Sequence, residues 1–207
     1  MANDPIAVKA LAFDLGKVIF DFDYNIALDK LRGRINVDPA TILASIYAND
    51  FGLDFEQGLV NGEQFFLRFR QDYDARLDYA EFAVIWSDIF TPNNDIIALA
   101  GRLRSCFPLH LISNINELHF AHLYRLYPQV FGLFDSLILS YQVKAVKPQE
   151  KIYAALRAAC GCDYADIVYI DDRADLIRES SKLGLVSLQF TSFGDLVADL
   201  QKLDVID

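Results

Sequence analysis

The sequence predicts an α/β protein, a doubly wound parallel sheet carrying an inserted α-helical cap. Three observations predict it. Short apolar segments recur, each ending in polar and chemically capable residues; helical patterns alternate with them; and one long aromatic stretch near the amino terminus interrupts the alternation. At 207 residues the chain has the length of one core domain with a smaller insertion.

The first apolar segment is Ala10-Leu11-Ala12-Phe13, closed by Asp14. The next three are Leu109-His110-Leu111-Ile112 before Ser113-Asn114, Leu137-Ile138-Leu139 before Ser140-Tyr141, and Ile167-Val168-Tyr169-Ile170 before Asp171-Asp172. Apolar runs this short and continuous read as strands covered on both faces. A fifth run, residues 185–190, follows Gly184. Between them, helical periodicity covers residues 95–105, 117–126, 149–159 and 175–183. In a sheet built this way ligands sit at the carboxyl ends of the strands, where all four polar clusters fall.

Residues 24–90 break the pattern. They are rich in Leu, Phe, Tyr and Ala at helical spacing, are punctuated at Asp38-Pro39, Asn61-Gly62 and Leu77-Asp78, and contain no convincing strand. Asn61 ahead of Glu63 and Gln64 marks a helix start. Three or four helices are expected here, with the turn Thr91-Pro92-Asn93-Asn94 returning the chain to the core. The expected division is a core of residues 1–20 and 92–207 and a helical cap of residues 21–91. The aromatics Phe51, Phe55, Phe65, Phe66, Phe69, Phe82, Trp86 and Phe90 read as the core of that cap, some of them lining its entrance. Asp72, Asp74, Asp78 and Glu81 read as a solvated face.

Composition narrows the function classes. Hydrophobic residues at 53% and charged ones at 23% are a globular balance, without linker, low-complexity tract or internal repeat. A net charge of −10 argues against nucleic acid or an anionic membrane as partner. It leaves room for a small anionic substrate if a metal ion and one Lys neutralise it locally. Cys106, Cys160 and Cys162 match neither a zinc knuckle nor a redox pair, and read as reduced, mostly buried thiols. The start MANDPIAVKA lacks the cationic opening of a signal peptide, and no run approaches the roughly 18 apolar residues of a membrane span. A cytoplasmic protein is expected, of open oligomeric state.

Asp14 alone could be a nucleophile, a metal ligand or a helix cap, and for a strand-end Asp the cap is the commoner role. The other clusters alter that weighting. A carboxylate, a hydroxyl, a Lys and a pair of acids converging on one sheet edge are the equipment for phosphoryl transfer through an aspartyl phosphate. The bland alternatives are a strand-end hydroxyl at Ser113, a solvated Lys147, and Asp171 with Asp172 as helix caps.

On these residues the chain resembles the haloacid dehalogenase (HAD) superfamily, in which four motifs occur in this order on a Rossmann-like sheet. They are Asp14-Leu15-Gly16-Lys17-Val18, Ile112-Ser113-Asn114, Lys147-Pro148 with Tyr153 in the helix beyond, and Tyr169-Ile170-Asp171-Asp172 with Asp175 three residues on. The resemblance implies an Mg²⁺-dependent phosphatase acting on a small phosphorylated substrate. Asp14 would attack phosphorus, Ser113 would donate to a phosphoryl oxygen, and Asn114 would orient the substrate. Lys147, rather than Lys144, would offset the negative charge. Asp14, the Gly16 carbonyl and Asp172 would hold Mg²⁺, with Asp171 and Asp175 orienting waters or holding Lys147.

The first motif departs from the superfamily pattern. Its second Asp, the usual general acid and base, is Gly16 here, which keeps a carbonyl for the metal but has no proton to transfer. Such help is worth about 10²–10⁴-fold, so the expected substrates are those whose leaving group needs little protonation. This D-x-G-x-V form is similar to that of bacterial glucose-1-phosphatase-like members, which makes a sugar phosphate the first expectation. Lys17 could pair with a substrate oxygen or obstruct it. Asp21 and Asp23 read as hinge residues on the way into the cap. Two alternatives remain: a catalytically weak or silent protein that binds a phosphorylated ligand or a partner, and a haloacid dehalogenase, disfavoured because such enzymes work without metal. His119 and His122, three apart on a helix, read as surface or half-buried residues because nothing nearby completes a metal site.

Overall fold

A computed structural model describes residues 8–48 and 50–207, and the amino-terminal segment on which the signal-peptide expectation rests lies outside them. The sheet is five-stranded and wholly parallel: β1 (Ala10–Phe13) is central, flanked by β4 (Leu109–Ser113) and β6 (Ile167–Asp171), with β5 (Ser136–Leu139) and β7 (Val186–Gln189) at the edges. Its order, β5-β4-β1-β6-β7, reverses direction beside β1. That reversal opens a crevice at the carboxyl ends, which is where Asp14 stands.

The strands alternate between two apolar layers. Leu11, Phe13, Leu109, Leu111, Val168 and Ile170 face one layer, which α6 (Asn94–Leu103) and α12 (Phe193–Lys202) complete through Leu99, Leu103, Leu196 and Leu200. Ala10, Ala12, Ile112 and Tyr169 face the other, against Ile152, Tyr153 and Leu156 of α10 (Glu150–Cys160). Each large apolar side chain buried this completely contributes about 1.5–3 kcal/mol. The remaining core helices are α7 (Glu117–Leu126), the short α8 (Pro128–Phe131) and α9 (Ser140–Val143), and α11 (Ala174–Lys182). The helical periods of the sequence match α6, α7, α10 and α11 to within two residues at each end. The helix α12 was not anticipated from the sequence.

Between β1 and α6 lies the insertion. It opens with β2 (Phe20–Phe22), passes through α1 (Tyr24–Leu31), a 3₁₀ turn at Pro39–Thr41, α2 (Ile42–Tyr47), α3 (Asp50–Glu56), α4 (Gly62–Tyr73) and α5 (Tyr79–Ser87), and closes with β3 (Phe90–Pro92). Two expectations need correction here. Among the described residues the insertion has five α-helices, more than the three or four expected, because α2 and α3 are separate helices with no Pro or Gly between them to announce it. The Thr91-Pro92 segment is not a turn but a strand: β2 and β3 pair antiparallel as a two-stranded ribbon joining core to insertion. Strands of three residues carry too little pattern to be seen in sequence.

The insertion has a core of its own, with Phe55, Phe65, Phe66, Phe69, Phe82 and Trp86 packed as stacked and tilted rings. Asn61 caps α4 with a reciprocal capping box to Gln64, and Asp78 caps α5. The chain touches the sheet domain at defined points. Ser140 Oγ donates to the Glu56 carbonyl (2.6 Å), and Gly62 N–H donates to Glu117 (2.5 Å). Gly58, at φ +70°, lies where an added Cβ would fall 2.2 Å from the Tyr141 carbonyl oxygen, so only glycine fits this approach.

All three cysteines are free, but they are not buried as expected: Cys106 is exposed and Cys160 and Cys162 half-buried, because they occupy helix ends and turns rather than the layers. Among the described residues no helix is long and apolar enough to cross a membrane.

Candidate active site

Because β4, β1 and β6 are adjacent and parallel, their carboxyl ends bring Ser113, Asp14 and Asp171 to one edge. The Asp14 N–H donates to the Ile170 carbonyl (2.8 Å), which continues the ladder one residue past β1 and fixes the carboxylate over the sheet. Lys147 comes from the loop between α9 and α10. Its ammonium donates to Asp14 Oδ1 at 2.7 Å, Asp171 Oδ2 at 2.6 Å and the Ile112 carbonyl at 3.3 Å. All three charged residues are buried, with Lys147 4% exposed.

The loop carrying Lys147 is held by Asn114. Its side-chain amide donates to the Lys147 carbonyl (3.2 Å), and its Oδ1 accepts the Lys147 N–H (2.7 Å). The Asn114 side chain thus positions the Lys147 backbone, while the residue also lines the cavity described below. Lys144 reaches elsewhere, donating to the Gly58 carbonyl of the insertion.

Asp171 is fully buried and accepts from Lys147, from the Tyr169 hydroxyl and from the Arg173 N–H. It holds Lys147. Asp175 does not share this role, because its carboxylate is taken by Arg173 at 2.6 Å on the exposed side. Asp172 is half-buried and, with Asp14 and Asp171, offers one oxygen each within 4.8 Å of one another.

Three carboxylates against one ammonium leave this cluster negative. Burial pushes the Asp14 carboxyl up to about 7, with Lys147 opposing the shift and Asp171 adding to it. Burial, then the Asp171 charge, also raises Asp172. Burial alone would lower Lys147, but Asp14 and Asp171 together hold its ammonium above the ordinary lysine value. Excess negative charge on hard oxygen donors is the donor chemistry that suits a divalent cation such as Mg²⁺.

A cavity of about 520 Å³ opens at this sheet edge and meets the charged cluster through Lys147. Gly16, Ser113, Asn114 and Lys147 line it from the sheet, Phe22, Tyr24 and Phe90 from the ribbon and the start of the insertion, and Leu53 and Glu56 from α3. A more open cleft of about 700 Å³, between Lys9, Arg157 and Asp166, lies at the amino ends of the strands, away from the motif residues. The Ser140-Tyr141 cluster, the third strand-end group in the sequence, does not join the floor: the Ser140 hydroxyl is used on Glu56 and on the Ile115 backbone.

Lys17 is turned away from the cavity. Its backbone is left-handed (φ 60°), and its ammonium pairs with Asp21 and donates to the Phe22 carbonyl (2.8 Å). Asp23 caps α1 through the Asn25 N–H (2.9 Å).

Sequence reasoning missed His119 and Arg173. His119, taken as a surface or half-buried residue, is buried and lines the cavity, with Nε2 to the Trp86 carbonyl (3.1 Å) and Nδ1 to the Asn116 amide (3.0 Å). Burial lowers it to about 4, so the ring is neutral, donating to the carbonyl and accepting from the amide. Its neighbour His122 instead faces Asp88 at 3.8 Å. The helix N-cap Asn116 beside it was the available signal for His119. Arg173 had none.

Comparison with known proteins agrees with this geometry. A family model described as haloacid dehalogenase-like hydrolase matches residues 8–177. The chain belongs to this HAD-like hydrolase family. The fold is similar to that of a HAD family enzyme from Bacteroides thetaiotaomicron solved with magnesium and inorganic phosphate, at 22% identity and a TM-score of 0.79 over 88% of this chain and 93% of that one. A HAD-like family hydrolase from Porphyromonas gingivalis matches with a TM-score of 0.83 at 19% identity, covering 97% and 100% of the two chains. L-2-haloacid dehalogenase from Xanthobacter autotrophicus matches at 0.62 and 16% identity, over 94% and 83%. The Rossmann-like HAD fold thus accounts for both the sheet and the helical insertion.

Proposed function

We propose that this HAD-like hydrolase is an Mg²⁺-dependent phosphatase of a small phosphorylated metabolite, a sugar phosphate first, working through an aspartyl phosphate on Asp14. The observation that carries the reading is the buried Asp14–Lys147–Asp171 chain beside the three-carboxylate oxygen cluster. The Bacteroides neighbour's complex with magnesium and inorganic phosphate supports it.

An Asp14 oxygen forms a bond to phosphorus as the bond to the leaving oxygen breaks, and water then hydrolyses the acyl phosphate, releasing inorganic phosphate and restoring Asp14. Lys147 neutralises charge on Asp14 and on the incoming phosphoryl group, and Asp171 and Asn114 keep it aimed there. Ser113 donates its hydroxyl to a phosphoryl oxygen. Asp14, Asp172 and the Gly16 carbonyl hold Mg²⁺, with Asp171 beside them; a bound ion supplies the positive charge that lets a carboxylate approach a phosphate dianion. Gly16 gives the departing oxygen no proton, so esters with good leaving groups turn over best.

The dehalogenase reading has the Xanthobacter neighbour's fold in its favour. The acidic cluster weighs against it, since its oxygens suit a divalent cation and displacing a halide needs no metal. The test is phosphate release from p-nitrophenyl phosphate and glucose 1-phosphate, with and without Mg²⁺. The expected result is Mg²⁺-dependent turnover that falls by at least about 10³-fold in Asp14→Asn. Absence of any Asp14-dependent release across a broad panel of phosphate esters, or halide release from 2-chloropropionate instead, would overturn the reading.

A further inference from the structure

Gly16 and Lys17 are the two departures of the first motif, and both meet at one ring. A Cβ built on Gly16 would lie 3.0 Å from Cε1 of Phe22 and 3.6 Å from its Cδ1, so the ring stands against the position where a side chain at 16 would begin. The Lys17 ammonium lies 4.7 Å from the centroid of the same ring, donates to the Phe22 carbonyl and pairs with Asp21. Phe22 in turn meets Tyr24 and Phe90, each with its ring centroid 5.9 Å away, and all three residues line the cavity that Gly16, Ser113 and Lys147 also line. The missing acid is thus replaced by an aromatic wall that Gly16 admits and Lys17 steadies.

We infer that Phe22 is a specificity-determining residue: with Tyr24 and Phe90 it forms the face on which the leaving group rests, selecting phosphate esters whose alcohol carries a ring with an apolar face directly on the phosphate oxygen. Aryl and pyranosyl phosphates share that chemistry, since an aromatic wall accepts a flat ring edge-on or stacked, and the C–H face of a sugar equally. A phosphate on a short alkyl chain leaves the wall uncovered. A side chain at residue 16 would press on the Phe22 ring, so glycine there lets the ring sit where it does. The inference rests on the phosphatase reading, because it assumes the phosphoryl group on Asp14.

Binding separates the two. In Mg²⁺ buffer, calorimetry with phenylphosphonate and methylphosphonate reports the wall, and inorganic phosphate reports the floor. Wild type is expected to bind phenylphosphonate about five to ten times more tightly than methylphosphonate. Phe22→Leu should bring that ratio towards one with methylphosphonate affinity retained. Gly16→Ala, whose methyl group presses on the ring, and Lys17→Gln, an exposed change that removes the ammonium beside the ring, should lower the same ratio even if Phe22→Leu does not fold. The kinetic counterpart is a preference for phenyl phosphate and glucose 1-phosphate over ethyl phosphate that shrinks in these variants. Equal binding of the two phosphonates by wild type, or an unchanged ratio in all folded variants, overturns the inference alone. Failure of wild type to bind any of the three probes overturns the phosphatase reading and this inference with it.

Discussion

The site has a floor on the sheet edge, where Asp14, Lys147 and Asp171 are buried together and Lys147 reaches the cavity, and a wall, where Phe22, Tyr24, Phe90 and His119 line it. Burial disfavours charge in both, and only the floor answers it with paired opposite charges. On the floor it encloses full charges, each held by an opposite charge within hydrogen-bond reach, and such an arrangement tolerates no missing member. In the wall it excludes charge: His119 is kept neutral, and its two nitrogens are satisfied by a carbonyl and an amide. The floor is therefore the inflexible part and the wall the adjustable one. That is the division expected of a scaffold that keeps one chemistry and varies its substrates.

The comparison can be broken most directly at Lys147. Lys147→Met keeps the apolar stem but strands Asp14 and Asp171 as buried, unpaired carboxylates. It should lower unfolding free energy by about 3–5 kcal/mol, read by urea denaturation followed through the single Trp86. A loss under about 1 kcal/mol would show that the floor charges are solvated rather than enclosed.

His119 sharpens the contrast from the wall side. The folded ring titrates at about 4 against an ordinary 6.5, so between those values the unfolded chain binds the proton and the folded one does not. Stability contributed by the neutral ring is complete above pH 6.5, declines as the pH falls, and is lost by pH 4, amounting to about 3 kcal/mol. Urea midpoints measured from pH 7 to pH 4 should fall accordingly, and His119→Gln should flatten its share of the decline. A wild-type and variant curve of equal steepness would mean that the ring is reached by water.

The smallest effect is expected at a helix cap that lines neither floor nor wall. Asn61→Ala removes the side-chain half of the capping box of α4 and should cost about 1 kcal/mol, with the affinity for inorganic phosphate unchanged. A change in that affinity would indicate that the insertion transmits strain to the floor, and would erase the distinction between the rigid and adjustable regions.

Much of this was legible in the chain itself. The strands could be read because both their faces are buried, leaving unbroken apolar runs, and the motif residues because each closes such a run: Asp14 after Phe13, Ser113 after Ile112, Asp171 after Ile170. Gly16 was legible as an absence. The ribbon of β2 and β3 was not, since three-residue strands have no period to detect, and the break between α2 and α3 carried no punctuation.

By itself, then, the sequence determined the sheet, the order of the four motifs and the identity of the floor residues, because local hydrophobic runs and strand-end positions are properties of short segments. Only the tertiary structure decided how those residues are shared. Lys147 bonds to Asp14 across 133 positions of chain, Asn114 spends its side chain on the Lys147 backbone, and Asp175 goes to Arg173. It also decided that His119 faces the cavity and that Phe22 fills the space beside Gly16. Such assignments depend on which atoms of distant segments compete for the same few ångströms, and no local pattern encodes that competition.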